Sequence, residues 1–308
     1  MKKNVCIIGS SYGRNVICEA LKKSIYIKNV FLKYSDDTYV DLKEKKKFIC
    51  PKLEDFILKK KINLFIIAVP PRFQYEYAKK INKFKIPIIF EKPLGINIRQ
   101  VNKLKKLLGK RINNHAIDLN FLTSVPFKYL INTYLINNYK KDIKVIWKIP
   151  KRTNNRSWKN QSKEGGGLEN NFIIHLISIF VFSFKNLKVL GKSRKKKIFL
   201  STKNKTNIVI SYCYNDTKKN YFNFIIQYKN FKILMVNTGQ NYHSGYKIIK
   251  YDKIKKTKNI EFFQAISNDR TKPFINLFNS FCKFTIGKSD NLYNVKLGFD
   301  CHKILEKI

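Results

Sequence analysis

The sequence is poor in acidic residues, and this is its most unusual property. It has 20 Asp and Glu against 63 Lys and Arg, which gives a formal net charge of +43 at pH 7. Such a charge is typical of proteins that bind a polyanion such as nucleic acid. The lysines are, however, spread over nearly the whole chain among abundant Asn, Ile, Phe and Tyr, and these residue types share A/T-rich codons. We interpret the charge as a compositional bias and not as a nucleic-acid site, although a preference for an acidic substrate stays open.

Other absences exclude further classes of protein. The six cysteines include no C-x-x-C pair, and we find no metal-ligand spacing, so we expect reduced thiols and no metal. The most apolar later segment, Phe172–Phe184, is shorter than the roughly 18 residues that a membrane-spanning helix needs, and it contains His175. The apolar run at the start is too short for the hydrophobic region of a signal peptide. We therefore predict a soluble, cytoplasmic protein.

The central feature that is present is the apolar stretch Ile86–Leu94. It reads as a strand buried on both faces, and it ends in Glu91 and Lys92, directly before Pro93. Ligands of open parallel sheets bind beyond the carboxyl ends of the strands, which predicts a positioned cation at Lys92. Taken alone, the pattern is equally consistent with a lysine that marks the return of the chain to solvent.

A glycine turn lies between the first strand and the first predicted helix. The strand Val5–Ile8 leads into this turn, in which Gly9 would allow the sharp bend and Gly13 a close approach at the helix start. Backbone N–H groups there would face a pyrophosphate. Ser11 stands where a second glycine is usual. The candidate phosphate-binding residues are Gly9, Ser10, Ser11, Tyr12, Gly13 and Arg14.

The strand–helix alternation continues as a doubly wound unit. The strand Val30–Tyr34 ends at Ser35 and Asp36, where an acidic residue would favour NAD and a serine would suit NADP, so both cofactors stay open. The strand Leu64–Val69 ends at the same edge of the sheet in Pro70 and Pro71.

Three of these segments carry a resemblance to a known family. Ile7–Arg14, Ala68–Pro71 with the following Gln74, and Phe90–Leu94 resemble the Gfo/Idh/MocA oxidoreductases. The resemblance implies an NAD(P)-dependent enzyme that acts on a sugar or cyclitol. It also implies that Lys92 contacts the nicotinamide end of the cofactor and the reacting oxygen, and that the Lys92–Pro93 bond is cis. The further cofactor-binding residues that it implies are Val69, Pro70, Pro71, Gln74, Glu91 and Lys92.

The second half of the chain carries the other candidate catalytic group. Gly165–Gly167 precede an apolar helix on which Asn171 and His175 lie one turn apart on one face, with Ser178 beside them. Polar groups on such a helix must find partners or face a cavity, and a buried, satisfied histidine is the simpler alternative. The resemblance makes His175 the general acid/base. Asn171 stands where the family has aspartate, and we expect it to orient the imidazole without balancing its charge.

The remaining expectations concern substrate contacts and the second domain. The resemblance places Asn120 and Trp158 at the substrate, although Trp158 could equally be a packing residue. Strands Asn207–Tyr214, Tyr221–Tyr228 and Phe231–Val236 predict a mostly antiparallel sheet. We interpret His302, near the end of the chain, as a surface residue.

The predicted fold is α/β, with two domains. Residues 1–120 form a Rossmann domain with a doubly wound parallel sheet, and residues 121–308 form an α+β domain for substrate binding and homo-oligomer contacts through its sheet. We expect an oxidoreductase that transfers hydride between NAD or NADP and a sugar, sugar nucleotide or cyclitol. The alternatives are a dinucleotide-binding sensor or scaffold that has lost catalysis and, with least support, a nucleic-acid-binding protein.

Overall fold

The structure, a computed structural model, describes residues 2–34, 37–137, 139–151, 157–184, 186–194, 196–215, 217, 220–237, 239, 242–267 and 269–308. Within these residues the first part of the chain forms a seven-stranded sheet in the order β4-β3-β2-β1-β5-β6-β7. Its strands are β1 Lys3–Ile8, β2 Ile27–Lys33, β3 Thr38–Asp41, β4 Lys46–Ile49, β5 Leu64–Ile67, β6 Ile88–Glu91 and β7 Ala116–Asp118. Five of them, β2, β1, β5, β6 and β7, run parallel, which confirms the doubly wound sheet.

The helices that connect these strands bury their apolar stripes on the sheet. They are α1 Cys18–Lys22, α2 Leu53–Lys60, α3 Pro71–Asn82 and α4 Ile98–Leu108. A π-helical turn, Gly13–Ile17, leads directly into α1. In α4, Val101, Leu104 and Leu108 are buried, and the Asn97 side chain caps the helix by accepting a hydrogen bond from the Gln100 amide.

The sequence reading missed the hairpin of β3 and β4, which extends the sheet at one edge. Strand β3 pairs antiparallel with β2, and β4 pairs antiparallel with β3. The turn between them and the start of β4 fall in the charged segment Lys43–Lys47. This segment lacks the alternation of apolar and polar residues that would predict a strand. Tyr39 of β3 is fully buried, and its ring stacks on Phe56 at 4.0 Å between centroids.

A second sheet fills most of the later chain. Eight described strands form it in the order β15-β14-β13-β12-β8-β11-β10-β9. They are β8 Asp142–Pro150, β9 Lys188–Ser193, β10 Lys197–Ser201, β11 Asn207–Asn215, β12 Tyr221–Gln227, β13 Phe231–Asn237, β14 Tyr246–Asp252 and β15 Lys258–Phe263. All neighbours pair antiparallel except β8 and β11, so the expected mostly antiparallel sheet is confirmed.

The later helices cover one face of this sheet and reach back to the first one. They are α5 Asn120–Thr123, α6 Val125–Leu130, α7 Ile174–Ser183, α8 Thr271–Thr285 and α9 Val295–Glu306. Alternate residues of β8 and β12 point into the core, where Trp147 and Phe222 are almost fully buried. A π-helical turn, Glu169–Ile173, leads directly into α7.

The C-terminal segment lies against the first sheet, not against the second alone. The Ile117 amide donates to the Tyr293 carbonyl, and the Val295 amide donates to the His115 carbonyl, each at 3.0 Å. A division of the chain at residue 120 therefore stays a proposal, because residues far beyond it complete the surroundings of β7. No described helix is long and apolar enough to cross a bilayer.

The interpretation of His302 as a surface residue is wrong. Its side chain is 5% exposed, and its Nε2 atom accepts a hydrogen bond from the Leu94 amide at 3.1 Å. Burial lowers the pKa of His302 to about 4, so the ring is neutral and can act as an acceptor at neutral pH.

Candidate active site at the carboxyl edge of the first sheet

A cavity of about 710 Å³ lies beyond the carboxyl ends of β1, β2, β5 and β6. The first sheet contributes the glycine turn, the end of β5 and the turn after β6. The second half of the chain closes the cavity with Trp158, Asn171 and His175. The predicted phosphate turn, the predicted lysine and the predicted histidine therefore line one space.

The glycine turn fits a group that must approach the backbone closely. Gly9 has φ +133°, and a Cβ there would lie 2.3 Å from the Ala68 carbonyl oxygen. A Cβ at Gly13 would lie 2.9 Å from the Ile7 side chain. Gly9, Ser10, Ser11 and Tyr12 line the cavity, whereas Gly13 packs on β1 and Arg14 is exposed. This backbone cradle at a helix start is suited to a pyrophosphate.

The end of β2 supplies a lysine that the prediction did not assign to the site. Lys33 is 3% exposed and lines the cavity, and its Nζ atom donates to the Asp37 carboxylate at 2.8 Å and to the Tyr34 carbonyl at 3.0 Å. Ser35 and Asp36, which were predicted to bind the cofactor, lie outside the described residues.

The turn that carries Lys92 is fixed from two sides. The Lys92–Pro93 bond is cis, as the resemblance implied. From α3, the Gln74 side-chain amide donates to the Glu91 carbonyl at 2.8 Å and to the Pro93 carbonyl at 3.0 Å. From α9, His302 accepts from the Leu94 amide. Gln74 thus lies behind the turn and is 1% exposed, so it supports the site from outside the cavity.

The Lys92 ammonium reaches across to the second half of the chain. Its Nζ atom donates to the Asn171 carbonyl oxygen at 2.8 Å. Val69, Pro70 and Glu91 line the cavity beside it, while Pro71 begins α3 and faces the triple-glycine segment. The cation expected at the end of β6 is therefore directed at the helix that carries His175.

The three glycines before α7 allow three chain segments to meet. A Cβ at Gly165, which has φ +80°, would lie 2.9 Å from the Ile96 Cα atom. A Cβ at Gly166 would lie 2.2 Å from the Trp158 carbonyl oxygen. The adjacent Glu164 carboxylate pairs with Arg72 at 2.8 Å. The glycines thus let the Trp158 segment fold over the cavity while their own segment packs on the first sheet.

His175 is buried in an aromatic setting. It is 1% exposed, and its ring stacks on Phe121 with 5.1 Å between centroids. Its Nδ1 atom has no hydrogen-bond partner among the described residues. Burial, together with the charges of Lys92 and His243, holds the pKa of His175 well below its usual value of 6.5. The imidazole is therefore neutral at physiological pH and able to accept a proton.

Asn171 has partners other than the expected imidazole. Its side-chain amide donates to the Lys159 and Gly167 carbonyls, and its Oδ1 atom has no hydrogen-bond partner among the described residues. Ser178 donates to the His175 carbonyl at 2.7 Å, which is a bond within the helix. Asn171 thus holds the Trp158 segment against the helix start, and the orientation of His175 comes from packing.

The two residues predicted to contact substrate both line the cavity. Asn120 begins α5, directly after β7, and its Oδ1 atom is buried without a hydrogen-bond partner among the described residues. Trp158 lies in a short 3₁₀ turn, Trp158–Asn160, and also lines the cavity.

Comparison with known proteins identifies the first part of the chain. Residues 3–116 match the family model GFO_IDH_MocA, described as an oxidoreductase family with an NAD-binding Rossmann fold. The resemblance to the Gfo/Idh/MocA family is therefore confirmed over these residues. The expectation of a nicotinamide dinucleotide as cofactor is confirmed with it. No curated protein matches the chain in sequence.

Solved structures share the fold of this chain over its whole length. A variant of KijD10, a 3-ketoreductase from Actinomadura kijaniata, in complex with TDP-benzene and NADP, has a TM-score of 0.73 at 10% identity, covering 100% of this chain and 97% of its own. UDP-N-acetylglucosamine 3-dehydrogenase from Acidithiobacillus ferrooxidans has a TM-score of 0.71 at 9% identity, covering 100% and 97%. A myo-inositol dehydrogenase from Corynebacterium glutamicum has a TM-score of 0.71 at 11% identity, covering 99% and 94%.

Sequence reasoning missed four further residues at this site. Lys159, Tyr242 and Arg270 line the cavity, and Asp118 lies behind it at the end of β7. Asp118 could have been found, because it follows an apolar strand at the same sheet edge as Lys92. Tyr242 and Arg270 come from segments after β13 and β15 that carry no local signal of a site.

Proposed function

We propose that the chain is an NAD(P)-dependent oxidoreductase that transfers hydride between the nicotinamide and a hydroxyl- or carbonyl-bearing carbon. The proposed substrate is a sugar, a sugar nucleotide or a cyclitol. A sugar-related substrate is supported by the substrates for which similar structures are named, which include a UDP-sugar and myo-inositol.

One observation carries the proposal. Lys92, from the first sheet, and His175, from the helix of the second half, line the same cavity as the glycine turn. Lys92 Nζ donates a hydrogen bond to the Asn171 carbonyl, and Asn171 lies one helical turn before His175. A cation and a neutral base beside a nucleotide cradle are the groups that alcohol oxidation requires.

Each residue of the site has a separate role in the proposed hydride transfer. When bound, the nicotinamide ring supplies the hydride acceptor or donor. His175 takes the proton of the substrate hydroxyl during oxidation and returns it during reduction. Lys92 stabilises the negative charge that develops on the substrate oxygen. Asn120 and Trp158 contact the substrate, and the glycine turn binds the pyrophosphate.

The test is turnover of Lys92→Ala and His175→Ala with NAD or NADP over a panel of sugars, sugar nucleotides and cyclitols. We expect kcat/KM to fall by about a hundredfold to a thousandfold for Lys92→Ala. For His175→Ala we expect a fall of about a hundredfold to ten-thousandfold. Lys148→Ala is the matched control, because Lys148 is an exposed lysine of β8 whose ammonium lies over the Tyr221 ring. Full turnover by both site variants, with native circular dichroism, would overturn the mechanism.

A catalytically impaired sensor or scaffold is the second candidate, and it also has an observation in its favour. The His175 Nδ1 atom lacks a hydrogen-bond partner among the described residues, so no acceptor fixes the tautomer of the ring. This candidate predicts tight NAD(P)H binding without turnover of any panel member. Turnover of any panel substrate that depends on His175 excludes it.

The cofactor preference, the oligomer and the location in the cell remain part of the proposal. Binding of NADH and NADPH, compared by fluorescence, decides between the two dinucleotides. We propose a homo-oligomer that forms through the second sheet, which size-exclusion chromatography with light scattering tests. The cytoplasmic location stays a prediction.

A further inference from the structure

Two carboxyl groups lie side by side at the carboxyl ends of β6 and β7. Glu91 and Asp118 are register partners in these parallel strands, so their side chains leave the same face of the sheet. Asp118 is fully buried, and Glu91 lines the cavity next to Lys92. The 308-residue chain has 20 acidic residues, and two of them lie side by side at the candidate site.

The two groups cannot both be ionised easily. Burial raises the pKa of Asp118 well above its usual value, and the neighbouring Glu91 raises it further. Burial also raises the pKa of Glu91, while the charges of Lys92, Lys159 and Arg270 oppose that rise. The negative charge therefore resides on Glu91, beside the cations, and Asp118 stays neutral.

Asp118 contacts the glycine turn through a tyrosine. The Tyr12 hydroxyl donates to the Asp118 Oδ2 atom at 3.3 Å, across 106 residues of sequence. Burial raises the pKa of the Tyr12 phenol well above its usual value, which keeps it protonated as a donor. The Asp118 Oδ1 atom is buried without a hydrogen-bond partner among the described residues. The strand end that precedes Asn120 is thus tied to the turn that faces the pyrophosphate.

We propose that Asp118 is a positioning residue of the cofactor site, which through its hydrogen bond with Tyr12 holds the glycine turn in the conformation that binds the dinucleotide. This role of Asp118 rests on the cofactor binding in the proposed function and not on the hydride transfer. Ionised Asp118 would add a second negative charge beside Glu91, close to the phosphate-binding turn, and so weaken binding of an anionic dinucleotide.

The experiment measures the dissociation constants of NADH and NADPH by fluorescence from pH 6 to pH 10. We expect Asp118→Ala and Tyr12→Phe each to raise the dissociation constant about three- to tenfold at pH 7. The double variant should be no weaker than either single one, because both changes remove the same hydrogen bond. Asp118→Asn keeps an acceptor for Tyr12 and should bind as the wild type does at pH 7.

The pH profile separates positioning from a purely structural role. The wild-type dissociation constant should rise towards alkaline pH as Asp118 ionises, and Asp118→Asn should remove that part of the rise. Tyr129→Phe is the matched control, because it removes the contact of another tyrosine with a carboxylate, Glu261, away from the cavity. We expect this control to bind as the wild type does.

The outcomes distinguish this proposal from the proposed function. If the wild type binds neither dinucleotide, the proposed function fails. If the wild type binds and Asp118→Ala binds equally well across the pH range, Asp118 has no positioning role, while the oxidoreductase proposal stands. Equal weakening by Asp118→Ala and Asp118→Asn would also overturn the proposal.

Discussion

The two candidate catalytic groups are held in place by different means. The Lys92 turn is fixed by directed hydrogen bonds from Gln74 and His302, on helices of different parts of the chain. His175 has a ring stacked on Phe121 and an Nδ1 atom without a hydrogen-bond partner among the described residues. One group is positioned by polar contacts to the backbone around it, and the other by the shape of an aromatic core.

Because of this difference, Lys92 and His175 should be sensitive to different kinds of substitution around them. Hydrogen bonds set the direction of a turn, and each lost bond leaves a buried backbone group unsatisfied. Packing sets the position of a ring only as long as the neighbouring volume is filled. We therefore expect the histidine to depend on bulky neighbours and the lysine turn to depend on particular acceptors and donors.

Loss of the Phe121 ring should have the largest effect. Phe121 is 2% exposed and also stacks on Phe127 at 4.1 Å and Trp147 at 5.4 Å. Phe121→Ala should lower the free energy of unfolding by about 3–5 kcal/mol, because it removes a buried ring and leaves a cavity. Denaturant unfolding measures this loss. A loss below about 1 kcal/mol would mean that the ring does not support the core beside His175.

Changes at His302 should have an intermediate effect. His302→Ala should lower the free energy of unfolding by about 1–3 kcal/mol, because the buried Leu94 amide loses its acceptor. The pKa of His302 is lowered to about 4, so the unfolded chain binds a proton below about pH 6.5 that the folded chain does not. His302 therefore lowers the free energy of unfolding as the pH falls from about 6.5 towards 4. The loss between pH 7 and pH 5 is about 2 kcal/mol.

His302→Gln is the matched variant, since it keeps an acceptor and removes the titration. Urea unfolding at pH 7 and pH 5 should show a smaller loss on acidification for His302→Gln than for the wild type. An unchanged difference between the two pH values would contradict a buried neutral His302.

Ser178→Ala should have the smallest effect. The Ser178 hydroxyl donates to the carbonyl of His175 within the same helix, and such bonds add little stability. We expect the free energy of unfolding to change by less than about 0.5 kcal/mol and turnover by less than about twofold. A tenfold loss of turnover would instead indicate that this hydroxyl acts on His175 or the substrate.

The sequence predicted the elements whose signal is local. The buried strands Leu64–Ile67 and Ile88–Glu91 lie within the apolar runs Leu64–Val69 and Ile86–Leu94 that predicted them. The meeting of Lys92 and His175 in one cavity followed from two sequence motifs that resemble one family. Each motif lies at the end of a strand or the start of a helix, where the fold fixes its direction.

The remaining features depend on contacts between distant segments. His302 is buried because α9 packs back on the Lys92 turn, and nothing near His302 in sequence indicates this. The partners of Asn171 include the Lys159 carbonyl, which comes within reach because the Gly166 segment lets the Trp158 turn fold over. A sequence pattern could place the asparagine on the correct helix face but not choose between these carbonyls and the imidazole.

The return of the C-terminal segment to the first sheet has a consequence for synthesis of the chain. Strand β7 exchanges backbone hydrogen bonds with residues 293 and 295, and a side chain of Gly298 would overlap Ile117 and Leu94. During translation, the β7 flank of the first sheet therefore lacks these contacts until residues 293–298 have left the ribosome. The isolated first sheet would expose the edge of β7, which the later segment covers in the folded chain.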